Sequence, residues 1–173
     1  PDIYDIIRYA ADKKFMVVLG TNGTMINRVN AEKIKAAGAH GVGISIDSMN
    51  PDKHNKFRGV DKAWEHSMEA FDILNEVGVD FLVQMSVSDM NYKEIPDVVE
   101  FTEKIGAIAF NLYFLVCTGR GQGNTDISNA AYEEALKMLY DQQMKYKGKL
   151  MINSKCAPQY KRVVYENDPE SVY

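Results

Sequence analysis

The sequence is poor in the features that define several classes of protein. Its only two cysteines, Cys117 and Cys156, are too few for a disulfide framework and too far apart for a local metal motif. No apolar run reaches the roughly 18 residues of a membrane-spanning helix, and the N-terminus lacks the basic and apolar blocks of a signal peptide. We therefore expect reduced thiols and a cytoplasmic location.

Neither sign of charge dominates the composition. The chain has 20 Lys and Arg against 24 Asp and Glu, which gives a net charge of −4. There is no basic field for nucleic acid, and we expect neither nucleic acid nor a membrane as a partner. With 173 residues the chain has the length of one domain or a large piece of one. Because Pro1 opens a helical pattern with no initiator Met, we expect the numbering to start inside a longer protein.

Apolar runs and helical patterns alternate along the chain about five times after a first helix. This order predicts an α/β fold with a parallel sheet. The predicted strands are 15–20, 41–47, 80–88, 107–116 and 149–155. Predicted helices lie between them: one capped by Asn30, one at 61–77 with Trp64, Met68, Phe71 and Leu74 inward, one at 96–105, and one capped by Ser128. Residues 48–59 are expected to form a polar loop.

The predicted strands have two different faces. Ser45 and Asp47 alternate with apolar residues, and so do Gln84 and Ser86 in the following strand. Parallel strands covered by helices on both sides are instead apolar on both faces. A partial (β/α) barrel explains the pattern if the polar face lines a lumen that holds a ligand.

Several polar residues lie at or near the ends of these strands, where parallel α/β proteins bind ligands. Thr21, Asn22 and Gly23 offer an amide and an accessible backbone, although Asn-Gly also favours a simple turn. The Asp47 carboxylate suits ribose hydroxyls or an amine. Two further candidates are Arg58, which offers a bidentate donor for a carboxylate but is also compatible with a solvated loop, and the pair Gln84 and Ser86.

Other motifs carry little chemistry. The GRGQG stretch at 119–123 lacks the order and the lysine of a phosphate-binding loop. The three histidines are scattered, and Cys117 is most simply a small buried residue. A conventional barrel lyase or aldolase would need a lumen lysine, a metal triad or a phosphate site, and the four strands within 15–116 contain no lysine.

The stretches TNGTMI, ISIDSMNPDKHNKFRG, QMSVS and NLYFLVCTGRG follow one another at one strand-helix interval each. In this order they resemble the radical S-adenosylmethionine superfamily, and more narrowly its branch with a C-terminal SPASM extension. The resemblance implies a (β/α)6 partial-barrel core. Residues 1–148 would be part of that core, and residues 149–173 would be its exit strand and the start of a SPASM-like extension.

The resemblance also implies roles for particular residues. Thr21, Asn22 and Gly23 would lie near the nucleotide, and Ser45 and Asp47 beside the ribose and methionine parts of the cofactor. The other implied contacts are Arg58 with the methionine carboxylate, Gln84 and Ser86 with the same ligand, Leu115 and Val116 with adenine, and Cys156 with an auxiliary iron–sulfur cluster.

The sequence departs from the family where the radical-generating cluster binds. Family members hold a [4Fe-4S] cluster through CxxxCxxC and contact the cofactor amino group through a GGE segment. Neither motif occurs here. Both absences are explained if a first strand, helix and second strand are missing, so we expect this chain to be inactive alone.

The resemblance implies an enzyme that cleaves S-adenosylmethionine to a 5′-deoxyadenosyl radical, with ferredoxin or flavodoxin as electron donor. FLVCTGRG and the CAPQYKRVVYENDPES tail resemble haem-pathway decarboxylases, which favours loss of carboxylates from a tetrapyrrole. Peptide modification of the PQQ-synthesis or sulfatase-maturation kind, a conventional barrel lyase and a noncatalytic binding domain remain alternatives. We also expect self-association through an exposed strand edge near 15–20, or poor solubility.

Overall fold

The computed structural model describes residues 2–114 and 127–171. Leu115, Val116, Cys117 and the 119–123 stretch lie outside the described residues. The strands are β1 Val18–Thr21, β2 Gly41–Ser45, β3 Phe81–Val87, β4 Ala109–Phe114 and β5 Met151–Lys155. The helices are α1 Ile3–Asp12, α2 Arg28–Ala36, α3 Pro51–Arg58, α4 Ala63–Val77, α5 Ile95–Lys104, α6 Asn129–Lys145 and α7 Tyr160–Asn167, with a short 3-10 helix at Tyr92–Glu94.

The five strands form one parallel sheet in the order β1-β2-β3-β4-β5. This confirms the predicted α/β fold with a parallel sheet. By contacts, the chain divides into two compact units. Unit 1 comprises Pro1–Ile46 and Asn50–Val83, and unit 2 comprises Asp47–Met49 and Gln84–Tyr173.

Unit 1 builds its core between β2 and the helices. The β1 and β2 strands pair from Val18 with Gly41 to Thr21 with Ile44. Val42 and Ile44 are fully buried, as are Ala70 and Leu74 of α4. Helix α4 also contacts α2 and α3. The branched side chains of β2 therefore supply the apolar face that the sequence pattern predicted.

Several predicted boundaries in unit 1 are wrong. The first strand is shorter than 15–20, and Phe15 and Met16 are 66% and 79% exposed. Asn27 rather than Asn30 caps α2, because its side chain accepts the Asn30 N–H.

The predicted polar loop 48–59 contains α3, which Asn50 caps and Pro51 begins. In α4 the predicted inward face is rotated. Ser67 and Ala70 are fully buried beside Phe71 and Leu74, whereas Trp64 and Met68 are half-buried.

Unit 2 repeats the two-faced pattern. Phe110, Leu112 and Phe114 of β4 are buried, and the Phe114 ring lies 4.4 Å from that of Tyr132 on α6. Helix α6 begins at the predicted cap, since the Ser128 side chain accepts the Ala131 N–H. Ile108 precedes β4 and is 50% exposed, so the apolar face of this strand does not extend to it. Among the residues that the structure describes, no helix is long and apolar enough to cross a membrane.

Candidate functional site

The predicted Thr21-Asn22-Gly23 group comprises the last residue of β1 and the start of the tight turn that follows it in unit 1. The Asn22 Oδ1 accepts the N–H and the hydroxyl of Thr24 at 3.2 and 2.9 Å. The Gly23 N–H donates to the Thr21 Oγ1 at 3.2 Å. Both side chains of this group, those of Thr21 and Asn22, are thus used within the turn. This favours the turn interpretation and leaves the backbone as the group available to a ligand.

Gly23 is the position in this turn that requires glycine. Its φ is +80°, a region that other residues rarely adopt. A Cβ at Gly23 would lie 3.2 Å from Ile44 Cγ2 and 3.3 Å from Ser67 Oγ. The Ser67 hydroxyl also donates to the Ala63 and Asn22 carbonyls, at 2.8 and 3.3 Å. The end of β1 is therefore held directly against β2 and α4.

Ser45 and Arg58 are the remaining predicted site residues of unit 1. Ser45 is the last residue of β2 and is partly exposed. Arg58 lies in the last turn of α3 rather than in a loop, with its guanidinium carbon 5.7 Å from the Phe57 ring centroid. One turn earlier, burial and then the positive charge of Arg58 lower the pKa of His54 to about 4, so His54 is neutral at pH 7.

Asp47 and Ser86 meet in unit 2. Asp47 is 1% exposed, and its Oδ1 accepts the Ser86 N–H at 2.9 Å. This bond fixes the orientation of the carboxylate at the end of β3. The Ser86 hydroxyl is partly exposed and makes no hydrogen bond with the residues that the structure describes.

Asn91 organises the same strand end and was missed by the sequence analysis. Its Nδ2 donates to the carbonyls of Asp47 and Ser86, at 2.8 and 2.9 Å. Its Oδ1 accepts the N–H and the hydroxyl of Ser88, at 2.7 and 3.3 Å. Asn91 is 5% exposed. The available signal was an asparagine close behind a strand, which sequence reasoning treats as an ordinary turn residue.

Polar side chains also cover one face of β3, β4 and β5 in unit 2. The Gln84 Nε2 donates to the Tyr113 hydroxyl at 3.3 Å. Parallel pairing sets Asn111 beside Asn153, and the Asn153 Nδ2 donates to the Asn111 Oδ1 at 2.9 Å. The predicted alternation is confirmed here, because Gln84 and Ser86 are partly exposed whereas Val83, Met85 and Val87 are buried.

Cys156, the predicted cluster ligand, follows β5. Its thiol is exposed and its φ is +59°, which is uncommon for a residue other than glycine. Within 2–114 and 127–171, no group of three or more His, Cys, Asp or Glu side chains is placed to hold a metal ion. Cys156 is therefore not part of such a group within the described residues.

A parallel sheet with hydroxyl, amide and carboxylate groups at the carboxyl ends of its strands is typical of enzymes that bind a small polar ligand there. Residues 1–102 match the family described as the Radical SAM superfamily. The chain therefore belongs to the radical SAM superfamily, as its motifs predicted.

Individual proteins of similar sequence support the same family assignment. The chain is 36% identical over 164 residues to the AdoMet-dependent heme synthase of Methanosarcina barkeri, covering 95% of this chain and 46% of the relative. It is 30% identical over 145 residues to the subtilosin biosynthesis protein AlbA of Bacillus subtilis, covering 83% of this chain and 32% of that protein. The chain thus spans less than half the length of these relatives.

A solved structure shares the fold. The crystal structure of Streptococcus suis SuiB bound to S-adenosylmethionine superposes with a TM-score of 0.75 at 15% identity. The superposition covers 99% of this chain and 39% of SuiB. The likeness supports the predicted radical SAM type of α/β core.

Proposed function

We propose that this chain forms part of a radical SAM enzyme that oxidatively removes carboxylates from a tetrapyrrole. The observation that carries the proposal is the 36% identity to an AdoMet-dependent heme synthase over 95% of the chain. The boundaries predicted from the sequence remain part of the proposal: 1–148 as core, and 149–173 as the start of a SPASM-like extension.

The residues at the strand ends suit S-adenosylmethionine. The hydroxyls of Ser45 and Ser86 are partly exposed and form no hydrogen bond with the described residues, so they are available to ribose hydroxyls or to the ammonium group. The Asp47 carboxylate is buried, and the backbone N–H of Ser86 orients it. The proposed contacts also include the backbone at Thr21, Asn22 and Gly23, and the side chains of Arg58 and Gln84, with Leu115 and Val116 next to adenine.

The same residues do not fit the radical-generating [4Fe-4S] cluster. Such a cluster needs cysteine thiolates, and this chain has only Cys117 and Cys156, far from the CxxxCxxC spacing. We therefore propose that the chain alone is inactive and that other parts of the enzyme bind this cluster. Cys156 remains proposed as one ligand of an auxiliary cluster, with a ferredoxin or flavodoxin as electron donor and a cytoplasmic location.

When it is bound beside a reduced cluster, S-adenosylmethionine would provide the chemistry that removes a hydrogen atom from the substrate. The contribution of this chain is to position cofactor and substrate. Hydroxyls and amides on a sheet are rigid donors and acceptors, and their value in catalysis lies in holding the reacting groups in one geometry.

The proposal is tested on the full-length protein with its clusters in place. We expect a reductant, S-adenosylmethionine and a porphyrin with propionate side chains to give a product that has lost carbon dioxide and two hydrogens per converted propionate, detected by mass spectrometry. Cofactor cleavage without any change in the porphyrin would refute the tetrapyrrole assignment. Absence of cleavage in the reconstituted enzyme would refute the proposed function as a whole.

Peptide modification is the second candidate. The 30% identity to AlbA, a protein named for subtilosin biosynthesis, favours it. The same assay distinguishes the two, because a peptide substrate would change in mass while the porphyrin would not.

We also propose that the isolated chain self-associates through the outer edge of β1. In the sheet order β1 is the first strand, and Phe15, Met16 and Val18 beside or within it are exposed. Exposed strand edges with apolar side chains favour pairing with another chain.

A further inference from the structure

One face of unit 2 carries a row of hydrogen-bonding side chains in which only Gln84 has a predicted role. The register pairs Asn111 with Asn153, and Tyr113 with Lys155. Partners across parallel strands share a face, and so do residues two apart in one strand. Gln84 belongs to this face through its hydrogen bond to Tyr113. We call these five residues the donor row.

The hydrogen bonds within the donor row leave two donors, on Tyr113 and Asn111, available to a ligand. Because the Gln84 Nε2 donates to the Tyr113 oxygen, the phenolic proton is free to point elsewhere. Because the Asn111 Oδ1 accepts from Asn153, the Asn111 amide nitrogen keeps its own protons for another partner.

Charge points to the same kind of ligand. Lys155 is partly exposed and forms no ion pair within residues 2–114 and 127–171. The donor row contains no acidic residue, so it presents one positive charge together with neutral hydrogen-bonding groups. Lys155 is the last residue of β5, and Tyr113 is the last but one of β4. Both lie toward the carboxyl ends of their strands, where parallel sheets bind ligands.

We infer that Tyr113 and Lys155 together bind a carboxylate of the substrate. Neighbouring strands lie about 4.8 Å apart, so a phenol and an ammonium at paired positions can donate to the two oxygens of one carboxylate. The identity of the substrate rests on the proposed function, under which this carboxylate is a propionate of the tetrapyrrole. The donor row thereby gives the substrate one orientation relative to the rest of the sheet.

The inference is tested by equilibrium binding to the full-length protein with its clusters in place, without reductant, so that no turnover occurs. The probes are coproporphyrin III and its tetramethyl ester, which has the same ring but no ionised carboxylates. We expect Tyr113→Phe and Lys155→Gln each to raise the Kd of the acid about tenfold, as the loss of one hydrogen bond to a charged group implies. The Kd of the ester should change much less.

A matched control changes a lysine near the opposite end of β5. Lys149→Gln removes the same charge from an exposed lysine just before β5 and should leave the Kd of the acid unchanged. A thermal melt of each variant verifies folding, and Tyr113→Phe keeps the aromatic ring in place.

Equal binding of acid and ester, or an unchanged Kd in both variants, would overturn the inference. Variant-sensitive binding of a glutamate-rich peptide without porphyrin binding would overturn the tetrapyrrole assignment. The proposed function is judged separately from cofactor cleavage. Cofactor cleavage together with equal binding of acid and ester would refute only the binding of a carboxylate by Tyr113 and Lys155. Selective binding of the acid without any cofactor cleavage would refute only the proposed function.

Discussion

Asn91 is a single buried amide that joins three backbone segments in unit 2. Its four hydrogen bonds reach Asp47, Ser86 and Ser88. We therefore expect a change at Asn91 to lower stability and to loosen the backbone at Asp47 and Ser86, whose N–H orients the Asp47 carboxylate. We expect Asn91 to position these backbone segments and not to contact a ligand itself.

We predict that Asn91→Ala lowers the free energy of unfolding by about 3 kcal/mol, because it removes these bonds and leaves buried polar groups unpaired. Urea denaturation measures the change. Asn167→Ala is the control: it removes one bond, from Nδ2 to the Val163 carbonyl at 2.8 Å, and should cost about 1 kcal/mol. Equal losses in the two variants would contradict the role given to Asn91.

His54 should make stability depend on pH in unit 1. Its pKa is lowered to about 4, mainly by burial and secondly by Arg58, while Glu65 acts in the opposite direction. Since the folded pKa lies below the unfolded value of about 6.5, the unfolded state binds the proton more readily. The stabilisation is fully present above pH 6.5 and is lost as the pH falls toward 4.

The expected size of this effect is about 2 kcal/mol between pH 8 and pH 5. His54→Gln removes the titrating group, so its unfolding free energy should fall less over the same pH range than that of the wild type. If His54→Gln preserves the wild-type dependence, the histidine is not buried in its neutral form.

Period-two alternation correctly predicted that Gln84 and Ser86 lie on the polar face, because a strand with one buried face has no other way to arrange its side chains. The same reasoning could not find Asn91 or the pairing of Tyr113 with Lys155. Those depend on which distant residues meet across loops and strands, and local sequence carries no record of the register.

At the scale of elements, β1 is the most informative strand. It is short, it is the first strand in the sheet order, and Val18 within it is 45% exposed. We predict concentration-dependent dimers of the isolated chain in sedimentation velocity. Val18→Lys should weaken the association by about tenfold, since a lysine on an edge disfavours strand pairing and 1.4 kcal/mol corresponds to that factor.

Met25→Lys is the control for this experiment, because it adds the same charge at an exposed apolar residue outside β1. A chain that stays monomeric at high concentration would contradict the proposed edge pairing. So would equal effects of the two lysine substitutions, since these would indicate a general effect of charge.

Helix α3 lies where the sequence predicted a polar loop, and its composition explains the difference. Its cap Asn50 and its first residue Pro51 are local start signals. Its only buried residue is His54, so no apolar stripe marks it as a helix. By contrast, α6 was predicted correctly in type and start, because Ser128 caps a segment whose Ala135, Leu136 and Leu139 form a buried stripe.

At the scale of the whole molecule, the proposed function requires that the strand ends of this chain bind S-adenosylmethionine. Parallel sheets place their ligands at these ends, and the radical SAM family supplies the identity of the ligand. Backbone amides there should become protected when the ligand binds, whereas amides at the opposite ends of the strands should not.

Hydrogen–deuterium exchange on the full-length protein with its clusters in place, with and without S-adenosylmethionine, tests this claim most directly. We predict slower exchange in peptides that cover 21–23, 45–47 and 84–86, and unchanged exchange in the peptide that covers 147–150 before β5. Unchanged exchange in all three strand-end segments, under conditions in which the cofactor is bound, would contradict the account.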